Sequence, residues 1–280
     1  MPRHIVVGYD DSDGAQDAAA LGQRLARAAG RQLALVCVLA AGEEGDAGGV
    51  ARPAPLAPLL SAIEPVVVRG ASVAQGLISF AGPDADDAAA IVVGSPSRVP
   101  AGRIAVGTVA QSLLHGSPCA VALAPLGYAA GAAAGFSRIV VGYADSDESR
   151  AALRVAAGLG QAYGATVRVV FVTDGSSAHE ELVRSLRRLA GLVETESLVL
   201  DGDPAERLLE QSRAWADLIV VGSRGYGPTR QVLLGSVSAR LLAAADVPVI
   251  VTPRGAEREL VELDGPAAGA GFADDEAVSL

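Results

Sequence analysis

The stretch IVVGYDDSD at residues 5–13 decides the fold, because the chain repeats it almost unchanged as IVVGYADSD at residues 139–147. A second stretch, IVVGS at residues 91–95, returns at residues 219–223, and a Gly-rich segment of equal length follows each copy. A repeat of about 130 residues is too long for a solenoid unit and has the size of one small domain. The chain therefore contains two copies of one fold.

Each repeated stretch opens with an apolar run that has no polar alternation and ends in glycine. Such runs are typical of strands covered on both faces, as in a parallel sheet. Helical patterns with apolar residues three and four apart alternate with these runs, in the order β-α-β-α-β-α-β-α-β. The order predicts right-handed crossovers and two Rossmann-like α/β domains, each a doubly wound, five-stranded parallel sheet.

The predicted domains are residues 1–126 and 137–254. A short Ala/Gly linker at 127–136 joins them, and residues 255–280 are expected to be a flexible acidic tail because they lack an apolar period.

The two halves differ in the middle of each domain. Three prolines within residues 45–58 forbid an ordinary helix, so we expect a loop or a short broken helix there. The second half instead has an amphipathic pattern at residues 180–192, which predicts a helix. Further along, Asp203 followed by Pro204 is typical of a helix start.

Composition excludes several classes of function. The net charge of −10 argues against a general nucleic-acid or anionic-membrane surface. The sequence contains no lysine, which excludes a P-loop lysine, a Schiff-base lysine and a lysine general base. Cys37 and Cys119 lie in apolar runs without metal or redox spacing, so we expect core thiols. With no signal peptide and no apolar run of membrane-spanning length, we expect a soluble cytoplasmic protein.

The second Gly-rich segment has the pattern Gly-x2-Gly-x9-Gly-Ser between a buried strand and a helix. Backbone N–H groups at a helix N-terminus bind phosphate, and glycines let the main chain approach a ligand closely. Glycines also end strands, and serines also cap helices, in proteins that bind nothing. The spacing by itself therefore leaves a structural role open.

The whole motif resembles that of the universal stress protein family, together with the Asp-Ser pair after the first strand and the run ADLIVVGSRG at residues 216–225. The resemblance covers most of residues 3–254, in tandem. It implies an ATP site in each half, at the switch point between strands one and four. It also implies that the last strands, Ala120–Ala124 and Val249–Thr252, pair about an intrachain pseudo-twofold axis. Such pairing would cover two otherwise open sheet edges.

The resemblance assigns ATP-binding residues in both halves. In the second half they are Val172, Gly222, Arg224, Gly225, Gly235, Ser236, Val237 and Ser238. In the first half the weaker set is Asp10, Val38, Gly94, Gly107 and Thr108. Asp10, Asp11 and Asp13 could hold Mg²⁺ with a phosphate, although such aspartates more often cap the following helix.

Neither half matches the family pattern completely. Ser97 replaces the second motif glycine of the first half, and Ala144 stands where the first half has Asp10. A lost hydrogen bond from the acidic side chain costs about 1–3 kcal/mol, whereas a disturbed phosphate loop costs more. The motif therefore predicts the second half as the better nucleotide site.

These features favour a stress-response sensor or adaptor in which ATP occupancy biases partner binding. The alternatives are a slow ATPase and a nucleotide-free interaction module whose loops have drifted. His4, His115 and His179 fall on separate elements, so we predict no Ser-His-Asp triad, no metal cluster and no catalytic residue. We expect no nucleic-acid or membrane partner, and further homodimerisation stays open.

Overall fold

The protein is represented by a computed structural model that describes residues 4–10, 12–40, 63–82, 88–96, 100–131, 135–144, 146–173, 192–223, 236–255, 260–261 and 263. The predicted loop at 45–58 and all but the last residue of the predicted helix at 180–192 lie outside these residues. The strands are β1 His4–Gly8, β2 Gln32–Ala40, β3 Val66–Gly70, β4 Ala88–Gly94, β5 Ala120–Ala124, β6 Arg138–Tyr143, β7 Thr166–Thr173, β8 Thr195–Asp201, β9 Leu218–Gly222 and β10 Val249–Thr252. The helices are α1 Asp13–Ala29, α2 Val73–Ala81, α3 Thr108–Gly116, α4 Tyr128–Gly131, α5 Asp147–Tyr163, α6 Pro204–Trp215 and α7 Ser236–Ala244.

The ten strands in the described part of the chain belong to one sheet with the order β3-β2-β1-β4-β5-β10-β9-β6-β7-β8. Within each half every pairing is parallel, as the unalternated apolar runs predict. The halves join where β5 and β10 pair antiparallel, with Leu123 opposite Val249 and Ala122 opposite Ile250. The predicted contact between the last strands is thus confirmed.

Helices cover both faces of the sheet. The long helices α1 and α5 contribute side chains to the core on one face of the sheet. Helices α2, α3, α6 and α7 contribute side chains to the core on the other face. The run at the start of each half supplies both cores, because Ile5 and Val7 point to one face and Val6 to the other, all fully buried. Among the described residues, no helix combines the length and the hydropathy needed to cross a membrane.

Side-chain caps begin four of the helices. The side chains of Ser12, Ser72, Ser146 and Asp203 each accept a hydrogen bond from a backbone N–H three residues on. Pro204 follows Asp203 as the first helical residue, as predicted. Helix α3 differs, because its N-cap is Gly107 and no side chain caps it.

The predicted Ala/Gly linker contains the short helix α4 and packs on α1. The buried carboxylate of Asp17 accepts hydrogen bonds from the backbone N–H groups of Gly127 (2.7 Å) and Ala129 (2.8 Å). Arg24, also buried, donates to the Tyr128 hydroxyl and lies 4.9 Å from the centre of that ring. The linker is therefore held on the first half by two charged side chains of one helix.

Leu260 and Val261, in the segment predicted to be a flexible tail, pack against both halves. Leu260 and Val261 are buried, and the Leu260 carbonyl accepts a hydrogen bond from Arg31 Nε at 3.4 Å. The physical reason is Gly158 of α5, where a Cβ atom would lie 2.8 Å from Val261 Cβ. The missing side chain leaves room for Val261.

Candidate functional site

A cleft of about 300 Å³ lies in the first half at the carboxyl ends of β1 and β4. The strand order reverses at this point, because β2 pairs with one edge of β1 and β4 pairs with the other. In open α/β sheets, ligands bind at such a switch point. The volume is at the lower end of the range for small-molecule sites. All five residues predicted for this half, Asp10, Val38, Gly94, Gly107 and Thr108, line the cleft.

Apolar side chains form one wall of this cleft. Val36 and Val38 lie two residues apart on β2 and so face the same side of the sheet, and Leu77 of α2 and Val93 of β4 also line the space. Of these four, only Val38 is part of the predicted site. The alternation along β2 is the sequence signal that would have identified Val36.

The opposite end of the cleft is polar. Gly107 and Thr108 lie at the start of α3, where the first backbone N–H groups of a helix have no partner within the helix. The N-terminal end of a helix also carries a partial positive charge. Because Gly107 has no side chain to cap α3, this end of the cleft is suited to an anion.

Asp10 is exposed at the mouth of the cleft and shapes the loop after β1. Its Oδ1 atom accepts hydrogen bonds from the backbone N–H (3.0 Å) and the hydroxyl of Ser12, the residue that caps α1. Burial, and then the nearby Asp10 carboxylate, raise the pKa of the Cys37 thiol. Cys37 therefore stays protonated near neutral pH, and together with Cys119 it is a buried free thiol, as predicted.

The possible Mg²⁺ ligands are only partly described. Asp10 lies on the loop and Asp13 is the first residue of α1, whereas Asp11 falls outside the described residues. Within the described part of the chain, no group of three or more acidic, histidine or cysteine side chains is arranged to hold a metal ion. A metal role for these aspartates stays a prediction.

The equivalent cleft of the second half is smaller, about 40 Å³. Val172, Gly222, Val237 and Ser238 of the predicted set line it, and Ser236 is the exposed first residue of α7. The other three predicted residues, Arg224, Gly225 and Gly235, lie outside the described part of the chain. Ala144 lines the cleft where Asp10 lines the first one.

Buried hydroxyl groups tie the second cleft together. Ser238 donates to the Gly222 carbonyl at 2.9 Å, and Thr252 donates to the Glu148 carbonyl at 2.7 Å. The corresponding residues of the first half are alanines, Ala110 and Ala124. The first bond holds α7 against the end of β9 and the second holds α5 against the end of β10, next to the smaller of the two clefts.

An ion pair joins α6 and α7 beside the second cleft. Arg240 contacts the carboxylates of Asp203 and Glu206. The backbone N–H of Glu206 and the Arg240 guanidinium lower the pKa of Asp203. Asp203 is thus an ionised cap at neutral pH, and it stabilises the start of α6.

The chain matches the model of the universal stress protein family over residues 1–125, 135–188 and 176–253. It is 35% identical over 134 residues to a universal stress protein of Thermus aquaticus, an alignment covering 41% of this chain and 98% of that protein. It is 33% identical over 184 residues to one of Mycobacterium tuberculosis H37Rv, covering 59% of this chain and 62% of that protein.

The fold is similar to that of solved tandem-length chains. A universal stress protein structure from Archaeoglobus fulgidus superposes with a TM-score of 0.68 at 18% identity and covers 90% of this chain and 98% of its own. A Pseudomonas aeruginosa protein described as functionally unknown gives 0.61 at 15% identity, covering 91% and 94%. At these identities the likeness concerns the fold alone.

Proposed function

Since this chain belongs to the universal stress protein family, in a tandem arrangement, we propose that it binds an adenine nucleotide, ATP in the first instance, as a sensor or adaptor in the stress response. The observation that supports this most directly is the cleft of about 300 Å³ in the first half. It joins an apolar wall, an acidic side chain and a helix start that no side chain caps.

Each part of that cleft suits one part of a nucleotide. The valines of β2 and Leu77 offer an apolar surface to a planar base. The Asp10 carboxylate accepts hydrogen bonds from ribose hydroxyls or from a base N–H. The start of α3 offers backbone N–H groups and the positive end of the helix dipole, both of which suit a phosphate group.

Motif and geometry favour different halves as the tighter site. The second half keeps every glycine of the motif and is the half that the sequence predicts. The first half has the larger cleft and keeps Asp10. We therefore propose two unequal nucleotide sites, and their order of affinity is decided by titration rather than by the motif.

The test is calorimetric titration of the full chain with ATP, using two matched variants. Val38→Phe and Val172→Phe place a larger side chain at equivalent positions of the first and second clefts. We expect each variant to lose the site of its own half and to keep the other. If the motif prediction is right, Val172→Phe removes the tighter site.

One outcome would reject the proposal. If the wild-type chain gives no heat at millimolar ATP, and mass spectrometry of the freshly purified, denatured protein finds no nucleotide, the nucleotide-free interaction module is favoured. Phosphate release from ATP in the same samples distinguishes a binding protein from a slow ATPase. The control is the double variant with Val38→Phe and Val172→Phe, and a slow ATPase would release phosphate faster than this control.

A further inference from the structure

The loop between β4 and α3 leads into the first cleft and is anchored at its base. We define it by its described residues, 95–96 and 100–107, and call it the first Gly-rich loop. The Ser95 hydroxyl accepts a hydrogen bond from the Ala105 N–H (3.1 Å) and donates to the Ala124 carbonyl (2.9 Å). Ser95 is buried, so this anchor is shielded from water. The loop is thereby tied to the end of β5, at the seam between the halves.

A second pair of hydrogen bonds fastens the same loop to the residues after β5. The Gly102 N–H donates to the Leu126 carbonyl at 2.7 Å, and the Leu126 N–H donates to the Arg103 carbonyl at 3.0 Å. Gly102 has a φ of +75°, a left-handed conformation that glycine adopts without strain. These bonds keep the backbone of Arg103 close to the end of β5.

From that position Arg103 reaches across to the second half. Its Nη1 atom donates to the carbonyl of Ala244, the last residue of α7, at 2.8 Å. The last carbonyls of a helix lack partners within the helix and carry a partial negative charge, so a guanidinium is favourable there. Arg213 of α6 donates to the same carbonyl at 3.4 Å, but from within the second half.

Helix α7 connects this contact to the second cleft. Its nine residues span about 13 Å. Its first turn supplies Val237 and Ser238 to the lining of the second cleft, and its last residue accepts the bond from Arg103. The two clefts are thus connected in three steps. The chain joins Thr108 to Arg103, a hydrogen bond joins Arg103 to Ala244, and α7 leads from Ala244 back to the second cleft.

We infer that Arg103 couples the two clefts, so that a nucleotide bound in one changes the affinity of the other. The inference rests on the proposed function. Phosphate held at Gly107 and Thr108 restrains the first Gly-rich loop, and a restrained loop holds Arg103 on Ala244 at a smaller entropic cost. Such coupling is reciprocal by thermodynamic linkage. Because Arg103 is exposed, we expect a change in Kd of about twofold to tenfold.

The experiment follows hydrogen exchange of α7 by mass spectrometry when ATP binds only in the first cleft. The background is Val172→Phe, in which the second cleft is filled, and Ala144→Leu serves as a second blocking variant should Val172→Phe disturb the sheet. Arg103→Ala is added to this background, and Arg213→Ala is the matched control. Both substitutions remove one arginine from the Ala244 carbonyl, but of these two arginines Arg103 belongs to the first half and Arg213 to the second.

We expect ATP to slow exchange in the last turn of α7 in the blocked background and in the Arg213→Ala control. Arg103→Ala should abolish that slowing while ATP still binds. Calorimetry on the chain with both clefts open should show that Arg103→Ala changes the ratio of the two Kd values by about twofold to tenfold relative to the wild type.

Two results overturn the coupling, and they differ from each other. If ATP binds but α7 exchange does not respond, or responds equally in Arg103→Ala, the coupling inference is wrong and the proposed function stands. If no variant and no wild-type sample binds ATP, the proposed function fails and the inference fails with it.

Discussion

At the scale of single residues, two glycines let the start of α1 touch the end of β4 beside the first cleft. A Cβ atom at Gly94 would lie 1.7 Å from the Gly14 carbonyl oxygen, and one at Gly14 would lie 2.1 Å from the Ser95 carbonyl oxygen. In the second half the matching pair is Gly222 and Glu148, where a Cβ at Gly222 would meet the Glu148 carbonyl carbon at 2.8 Å. The close approach therefore requires glycine at the strand end in both halves.

We predict that Gly94→Ala lowers the free energy of unfolding by about 1–3 kcal/mol, because the added methyl group forces two backbone segments apart. The measurement is urea unfolding followed by circular dichroism. Gly131→Ala is the control, since a Cβ there meets nothing within 4 Å, and it should change stability by less than about 0.5 kcal/mol. Equal midpoints for Gly94→Ala and the wild type would contradict the prediction.

We predict that ionisation of Tyr128 lowers the free energy of unfolding at high pH. Burial raises the pKa of Tyr128 to about 12, whereas the ordinary value is 10.0. A raised folded-state pKa means that the folded protein favours the neutral phenol, so this stability is complete below pH 10 and is lost as the pH rises toward 12. At pH 11 we expect a loss of about 1 kcal/mol relative to pH 8.

The check compares urea midpoints of the wild type and Tyr128→Phe at pH 8 and pH 11. The phenylalanine variant lacks the bond from Arg24, so it should be less stable at pH 8 but should lose less between the two pH values. Parallel losses in both proteins would count against Tyr128 as the source.

At the scale of elements, α1 fixes the linker through buried charge. Asp17 is 2% exposed, and each of its two carboxylate oxygens accepts one hydrogen bond at the start of α4, from the backbone N–H of Gly127 or of Ala129. The first backbone N–H groups of a helix have no partner within the helix, and the side chain of Asp17 supplies acceptors there. The predicted linker therefore contains an ordered helical turn whose position depends on a side chain about a hundred residues earlier.

We predict that Asp17→Ala destabilises the protein by about 1–3 kcal/mol, because it leaves two N–H groups without their acceptor. It should also make the chain more sensitive to limited proteolysis between residues 125 and 136. Gln16→Ala is the matched control, an exposed neighbour on the same helix. Cleavage at the wild-type rate in Asp17→Ala would show that other contacts hold the linker.

At the scale of the whole molecule, the β5–β10 seam makes the two halves one sheet. Val121, Ala122, Val249 and Ile250 are fully buried at this seam, so neither half has that strand edge open to water. Three hydrogen bonds add contacts across the same boundary: Tyr163 donates to the Arg24 carbonyl, Arg31 to the Leu260 carbonyl and Arg103 to the Ala244 carbonyl. The halves should therefore unfold together.

This cooperativity is measurable, because Trp215 is the single tryptophan of the chain and lies in the second half, under the Arg168 guanidinium at 3.8 Å. Leu21→Ala removes a fully buried side chain from the first half and should cost about 2–5 kcal/mol. We expect the Trp215 fluorescence midpoint to fall together with the circular-dichroism midpoint. An unchanged fluorescence midpoint would mean that the halves unfold independently.

The sequence by itself determined the features that depend on neighbouring residues. Ile5–Val7 and its repeat identify buried parallel strands, and Asp203 with Pro204 identifies a helix start, because burial on both faces and capping leave patterns a few residues long. The tandem arrangement follows from the repeat. The five residues predicted for the first cleft also meet in space, because the carboxyl ends of parallel strands share one edge.

Only the tertiary structure decided which side chains meet across long separations. Arg103 and Ala244 are 141 residues apart, and no local pattern pairs them. Tyr128 of the linker lies on Arg24, and Val261 lies against Gly158, although the sequence predicts only a linker and a flexible tail at these positions. The difference in volume between the two clefts has the same origin. Packing depends on the shapes of all neighbouring groups at once, whereas a motif records only the residues along one stretch of chain.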